Sequence, residues 1–315
     1  MSDNSIIEIQ DVVRQFRRMT AIDGVSLTIN KGELFGILGP DGAGKTTLLR
    51  MMAAVMNPTA GNITIGEADT VKDAETVKTM IGYMPQRFGL YGDLSVEENI
   101  NFVADVFEVK GQERQDRIKR LYEFTQLEKF KRRRAEHLSG GMKKKLGLAC
   151  SLIHRPKVLL LDEPTTGVDP VARRDFWDLL SGLHGDGTTT VVSTPYMDEA
   201  ERCNRVALLF EGHVLACDTP QNIKASIPGT VLALECDNIR QSQILLKDLP
   251  FLLDMQTYGD QLNLIISGDV GSAQQAIKEK LHETQINVKR LDVVTIRMEE
   301  AFIYLVGQAR KEASI

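Results

Sequence analysis

The segment GPDGAGKTT, from Gly39 to Thr47, constrains the fold more than any other stretch of the chain. A short apolar run, Leu34–Leu38, leads into it. A helical pattern, Thr46–Met56, leads out and stops before Asn57 and Pro58. Strand, glycine-rich loop and helix in that order make a phosphate-binding unit. Backbone N–H groups converge on the α- and β-phosphates only where side chains leave room, which Gly42 and Gly44 provide. The helix that follows points its N-terminus at the anion. Lys45 brings positive charge to the β- and γ-phosphates, Thr46 offers a hydroxyl to Mg2+, and Thr47 is placed for the α-phosphate. Gly39, Asp41 and Ala43 complete the loop.

An acidic strand end, VLLLDE (Val158–Glu163), lies further along the chain. Asp162 follows a run of apolar residues, so its carboxylate sits at the end of a buried strand, where it can organise Mg2+. Glu163, next in sequence, is the candidate to polarise an attacking water. Between loop and strand lies LSGGMKKK (Leu138–Lys145). A serine hydroxyl and glycine N–H groups at a helix start suit an anion. Lys143, Lys144 and Lys145 either add positive potential near the nucleotide or solvate a helix face.

Composition narrows the class. The 315 residues carry 43 % apolar and 26 % charged side chains and a net charge of −5, so a dedicated nucleic-acid protein is not favoured. No window is apolar enough to span a membrane, and the MSDN start has no signal-peptide pattern. Cys150, Cys203, Cys217 and Cys236 lack ligand spacing and read as reduced thiols.

The coarse pattern predicts strands at Ile6–Val13, Val25–Ile29, Asn62–Gly66, Met80–Met84, Val158–Leu161, Thr188–Ser193 and Val206–Phe210. Helices are predicted at Val96–Lys110 (capped by Ser95 with Glu98), Arg114–Phe124, Met142–Ile153, Val171–Leu183 and from Met197. The basic run Lys131–Arg134 reads as solvated. The pattern changes around 222–229. Beyond it the order is β-α-β-β-α-β, a split βαβ arrangement, closed by a helix from Arg297 to Val306. No second phosphate loop occurs, so the chain supplies one ATP-binding half.

Taken together, residues 6–220 resemble the ATP-binding cassette (ABC) family. The resemblance implies an α/β P-loop NTPase fold of ABC ATPase type over 1–225, with a helical signature subdomain over about 92–155 and a small α+β accessory domain over 229–315. It assigns Gln86 to sensing Mg2+ and the attacking water, in a loop facing the membrane subunit. Ser139, Gly140 and Gly141 match the signature that meets the γ-phosphate of an opposed subunit. Asp169 matches the acidic residue of the loop crossing the dimer interface. Phe16 is either an adenine-stacking aromatic or a core phenylalanine.

GYMPQRFGLY (Gly82–Tyr91) and STPYMDEAERC (Ser193–Cys203) are similar to ATPase subunits of multidrug or polyketide-antibiotic exporters of ABC-2 type, above all the amino-terminal cassette of tandem proteins. MEEAFIYLVG (Met298–Gly307) resembles their last helix. The implied cofactors are ATP and Mg2+. The implied partners are integral membrane permease subunits and a second cassette, head to tail, as homodimer or heterodimer. The implied location is the cytoplasmic face of the inner membrane, with no nucleic acid bound.

Two positions depart from the family. Pro195 stands where a histidine usually contacts the γ-phosphate, and proline has neither a side-chain donor nor a backbone N–H. Thr194 and Tyr196 are its neighbours, while His184 and His213 are not obvious replacements. Asp41 replaces a more usual asparagine and is expected to be tolerated.

Overall fold

The computed structural model describes residues 4–87, 89–185 and 187–313. The N-terminal Met1–Asp3, where the leader reading began, and Phe88 of the GYMPQRFGLY segment lie outside the described residues. So does the side chain of His184.

From the N-terminus the chain runs β1 (Ser5–Phe16), β2 (Met19–Asn30), β3 (Leu34–Leu38), α1 (Lys45–Met52), β4 (Ala60–Ile65), β5 (Ala68–Asp69), α2 (Ala74–Met80) and β6 (Ile81–Met84). A helical segment follows, made of α3 (Val96–Val106), α4 (Gly111–Thr125) and α5 (Gly140–Leu152). Then come β7 (Val158–Asp162), α6 (Pro170–Gly185), β8 (Thr189–Thr194), β9 (Arg205–Phe210) and β10 (His213–Asp218). The remainder is α7 (Pro220–Ser226), β11 (Thr230–Cys236), α8 (Ile239–Leu246), β12 (Leu252–Tyr258), β13 (Gln261–Ile266), α9 (Val270–His282), β14 (Val288–Val294) and α10 (Met298–Ala313). The chain packs as two compact units, Met1–Thr219 and Pro220–Ile315.

In the first unit an antiparallel sheet, β2-β1-β4-β5, lies with a six-stranded sheet ordered β10-β9-β3-β8-β7-β6. The larger sheet is parallel except for its edge strand β10. Every residue of β3 and β7 is buried, as strands covered on both faces require. Leu48, Leu49, Met51 and Met52 of α1 share one core with Ile7 and Ile63 of the smaller sheet and Ile37 and Leu160 of the larger. Each such fully buried side chain stabilises the fold by about 1.5–3 kcal/mol.

Two pairings set the position of the site. Leu38 of β3 pairs with Thr194 of β8, and Asp162 of β7 pairs with Ser193. The loops leaving β3, β7 and β8 therefore emerge side by side at the carboxyl edge, where parallel α/β sheets bind ligands.

The helices α3, α4 and α5 bury Ile100, Ala104, Leu121, Leu146 and Ala149 in a core of their own. Ser95 caps α3 in a reciprocal box with Glu98: Ser95 Oγ accepts from Glu98 N at 3.2 Å and Glu98 Oε2 accepts from Ser95 N at 2.7 Å.

The structure departs from the sequence pattern mainly at helix ends. The helix expected to reach Met56 stops at Met52, because Ala54 turns left-handed at φ 53°. The one expected to reach Lys110 stops at Val106, before Glu108 at φ 53°. In both cases apolar residues continue beyond the turn and extend the pattern past the true end. The segment from Met197 forms a 3-10 turn to Arg202 rather than a longer helix. β10, α2 and α7 have no counterpart in the sequence reading.

In the second unit the sheet order is β12-β13-β11-β14, antiparallel throughout. One face packs α8 and α9 through Leu232, Leu234, Leu246, Leu264, Ile277 and Leu281. Asn238 and Asp269 cap these helices by accepting from Gln241 N and Ser272 N. The division falls before α7, which packs on α10, so α7 goes with the second unit and not within a first domain ending at 225. Cys150 and Cys203 are buried, and burial pushes their thiols up to about 12, away from the thiolate form. Among the described residues no helix is long and apolar enough to cross a membrane.

Candidate nucleotide site

The glycine-rich loop joins β3 to α1, with Gly44 as the N-cap at φ 107°. A Cβ there would meet Ala21 O at 2.5 Å, so both the backbone angle and the close approach require glycine. Gly42 is also left-handed, at φ 82°. Asp41 and Gly42 are exposed, Ala43 is buried, and Thr46 and Thr47 are half-buried on the first turn of α1.

Lys45 is buried. Its ammonium donates to Gly39 O at 2.8 Å and Pro40 O at 3.0 Å, and lies 3.2 Å from Glu163 Oε1. Glu163 has its other oxygen engaged too. Gln86 Nε2 donates to Oε2 at 2.7 Å and Thr166 Oγ1 at 3.2 Å. Thr46 Oγ1 and Ser193 Oγ both donate to Asp162 Oδ1, at 2.9 and 2.8 Å. Lys45, Gln86 and Glu163 thus form one group and Thr46 and Asp162 another, and Ser193 joins the two.

Glu163 itself adopts φ 47°, an uncommon angle for a residue with a side chain. Its N–H is held by Ser193 Oγ at 3.0 Å and Ser193 O at 3.2 Å. Such strain persists where the surroundings over-determine it, and is concentrated at functional sites.

Burial pushes the Asp162 carboxyl above the usual carboxylate value, against the bonds from Ser193 and Thr46 that pull it down. Its second oxygen, Oδ2, is buried with no hydrogen-bond partner. An orphaned carboxylate oxygen beside a threonine hydroxyl fits a hard cation. Mg2+ takes one or two protein carboxylates and completes its shell with phosphate and water, so Asp162 and Thr46 suffice. Among the described residues no group of three or more His, Cys, Asp and Glu makes a metal site by itself.

The signature residues stand apart from this cluster. Ser139 is the N-cap of α5 and accepts from Met142 N at 3.3 Å. Ser139 and Gly140 are exposed. Among the described residues no hydrogen bond joins Ser139, Gly140 or Gly141 to the phosphate loop. Gly141 is half-buried, and a Cβ there would come 2.7 Å from Ala172 Cβ, so its bare Cα lets α5 pack on α6. Asp169 is exposed and caps α6, its Oδ1 accepting from Val171 N at 3.1 Å and Ala172 N at 3.0 Å. Phe16, at the end of β1, is half-exposed, with the Arg14 guanidinium 4.5 Å from its ring centroid.

Pro195 follows β8 directly. Its neighbours are both engaged: Thr194 Oγ1 accepts from Tyr196 N at 3.1 Å, and the Tyr196 ring lies under the Arg173 guanidinium at 4.3 Å. Arg173 also donates to buried Glu199 at 2.7 Å. His213 is exposed, 3.7 Å from Asp23.

Sequence reasoning missed Ser193, Thr166 and the contacts of Lys144. Ser193 reaches Asp162 and Glu163 from the neighbouring strand, so only the strand order reveals it. Lys144 Nζ donates to Gln86 O and Glu163 O, both at 3.2 Å. Burial lowers its pKa, against the charges of Glu163 and Asp162 that raise it.

This sheet, loop and helix arrangement defines a P-loop nucleotide-binding domain. Residues 22–166 match the family model described as ABC transporter. The chain is 39% identical over 311 residues to the probable multidrug ABC transporter ATP-binding protein YbhF of Escherichia coli K12, covering 98% of this chain and 53% of that protein. It is 30% identical over 318 residues to the daunorubicin resistance ATP-binding protein DrrA3 of Streptomyces coeruleorubidus, covering 99% of this chain and 98% of that one. It thus spans about half the length of the first relative and nearly all of the second. Among solved structures, the dimeric ATP-binding cassette MJ0796 bound to ADP and Pi superposes with a TM-score of 0.63 at 27% identity, over 68% of this chain and 98% of that one. The chain belongs to the ABC transporter family.

Proposed function

We propose that the chain is the ATP-hydrolysing subunit of an ABC-2 type membrane exporter, peripheral on the cytoplasmic face of the inner membrane. The observation that carries this reading is Glu163, held at the end of β7 between Lys45 and Gln86. The multidrug and daunorubicin-resistance names of its relatives support export as the purpose.

In this account the N–H groups of the loop and the Lys45 ammonium take the β- and γ-phosphates. Phosphate draws Lys45 away from Glu163, which frees a carboxylate oxygen for water. Gln86, already bonded to that carboxylate, orients the water. Glu163 accepts its proton as the water oxygen bonds to the γ-phosphorus and the bond to the ADP oxygen breaks. Thr46 and Asp162 would hold Mg2+, which when bound would supply positive charge to the phosphate oxygens. Phe16 stacks adenine on the ring face that Arg14 leaves free. Ser139, Gly140 and Gly141 meet the γ-phosphate of ATP held by a second cassette, and Asp169 lies at the interface with it.

The membrane partner docks where α3, α5 and the segment after β6 meet. A groove of about 350 Å³ there is lined by Val55, Tyr83, Met84, Leu90, Val103 and Phe107. Beside it Tyr91 and Phe102 stand exposed, their rings edge to face at 5.0 Å. An apolar helix end of a permease subunit suits this surface.

A second reading, an ATP clamp with little turnover of its own, is kept by Pro195 with Thr194 and Tyr196 already engaged. Hydrolysis by the purified chain, with and without Mg2+, decides between them. The exporter reading expects Mg2+-dependent turnover that Glu163→Gln lowers by about 100-fold or more while ATP still binds. Pro195→His is expected to raise turnover. The clamp reading expects negligible phosphate release from the wild type under the same conditions.

A further inference from the structure

We propose that Lys144 is a positioning residue for hydrolysis, joining the signature helix to the backbone of the catalytic carboxylate in the same chain. This rests on the ATPase reading above and concerns a residue that reading does not use.

Three observations carry it. First, Lys144 sits early in α5, the helix capped by Ser139, yet its ammonium donates to Gln86 O and Glu163 O, at 3.2 Å each. These are the backbone carbonyls of the two residues whose side chains bond each other at 2.7 Å. Second, Glu163 is left-handed at φ 47°. Its N–H is fixed from β8 by Ser193 at 3.0 Å, while its C=O accepts from Thr166 N at 3.3 Å within its own loop. Lys144 is the hold on that peptide from the helical subdomain. Third, Lys144 and the lysine next to it are engaged differently. Lys145, also half-buried, lies 3.7 Å from Asp175 of α6, whereas Lys144 is directed at Gln86 O and Glu163 O.

The physical consequence is a short mechanical link. Ser139 and Lys144 belong to one helix, and α5 also packs against β6 just before Gln86. When Ser139 engages a phosphate across the interface, any shift of α5 is transmitted through Lys144 to the peptide planes of Gln86 and Glu163. Small displacements of a catalytic group are enough to change rate strongly. A lysine suits this role because one ammonium serves two carbonyl acceptors at once.

The test is single-turnover hydrolysis of labelled ATP by the full chain in excess, together with ATP affinity and thermal stability. Wild type, Lys144→Met, Lys144→Arg and Glu163→Gln are compared. Lys144→Met is expected to lower the hydrolysis rate by about tenfold with ATP affinity and melting temperature unchanged. Lys144→Arg, which keeps the charge and more than one donor, is expected to stay within about threefold of wild type. An unchanged rate in Lys144→Met overturns the proposal. So does a rate loss accompanied by equal losses in affinity and stability, or one that arginine does not rescue. If Glu163→Gln hydrolyses ATP normally, the assignment of the site fails instead, which separates the two.

Discussion

The carboxyl edge of the six-stranded sheet and the start of α5 are both polar, and they are built in opposite ways. At the sheet edge Lys45 and Glu163 are buried, with side chains 3% and 5% exposed, and Lys45, Glu163 and Asp162 Oδ1 are all bonded within the chain. At the start of α5, Ser139 and Gly140 face outward, and Ser139 accepts only from the helix it caps, Oγ from Met142 N at 3.3 Å and O from Lys143 N at 2.9 Å, among the described residues. Side chains that must hold a reacting geometry are locked by neighbours before nucleotide arrives. On the proposed reading, a surface that meets another molecule's ligand is left open. The contrast supports a cassette that holds ATP with its own loop and reads another chain's ATP with its signature.

The contrast can be broken from either side. The largest effect is expected at the locked edge. Lys45→Met leaves the buried Glu163 carboxylate without its cation and should cost about 3–5 kcal/mol in urea unfolding, with ATP binding lost as well. A stability change within experimental error would mean the pair is not a buried ion pair in solution. Gly141→Ala is next. Its new Cβ would stand 2.7 Å from Ala172 Cβ, so about 1–3 kcal/mol of overpacking is expected from thermal unfolding. Gly140→Ala, whose Cβ would meet only Gly167 O at 3.7 Å, serves as the tolerated neighbour. The smallest stability effect belongs to Ser139→Asp. Aspartate caps a helix as well as serine, so stability should hold within about 0.5 kcal/mol. A carboxylate aimed at phosphate should still lower turnover by about 100-fold. Loss of stability instead would reduce Ser139 to a structural cap.

Much of the locked edge was legible in the sequence because its parts are local. The loop Gly39–Thr47 and the strand end Asp162–Glu163 each carry their chemistry in consecutive residues, and strand order then brings them together. The ABC family and the cassette fold were legible for the same reason. What escaped depends on contacts distant in sequence. Ser193 serves Asp162 from the next strand, Lys144 reaches Glu163 from another subdomain, and Gly141 is small for the sake of Ala172. Helix ends escaped because Ala54 and Glu108 turn left-handed with no glycine or proline to mark the stop. Strand β10 escaped because its residues are half-exposed, with neither clear alternation nor a buried run.

The claim that Ser139 acts on ATP bound by another chain is tested most directly by mixing Lys45→Met chain with Ser139→Asp chain and measuring ATP hydrolysis. Each alone should be nearly inactive. In a mixed head-to-tail pair, one site joins the intact loop of one chain to the intact signature of the other. Random pairing makes half of the pairs mixed, each with one working site, so turnover should recover to about a quarter of wild type. A mixture that stays as inactive as its components, while the wild-type chain alone hydrolyses ATP, would contradict the account.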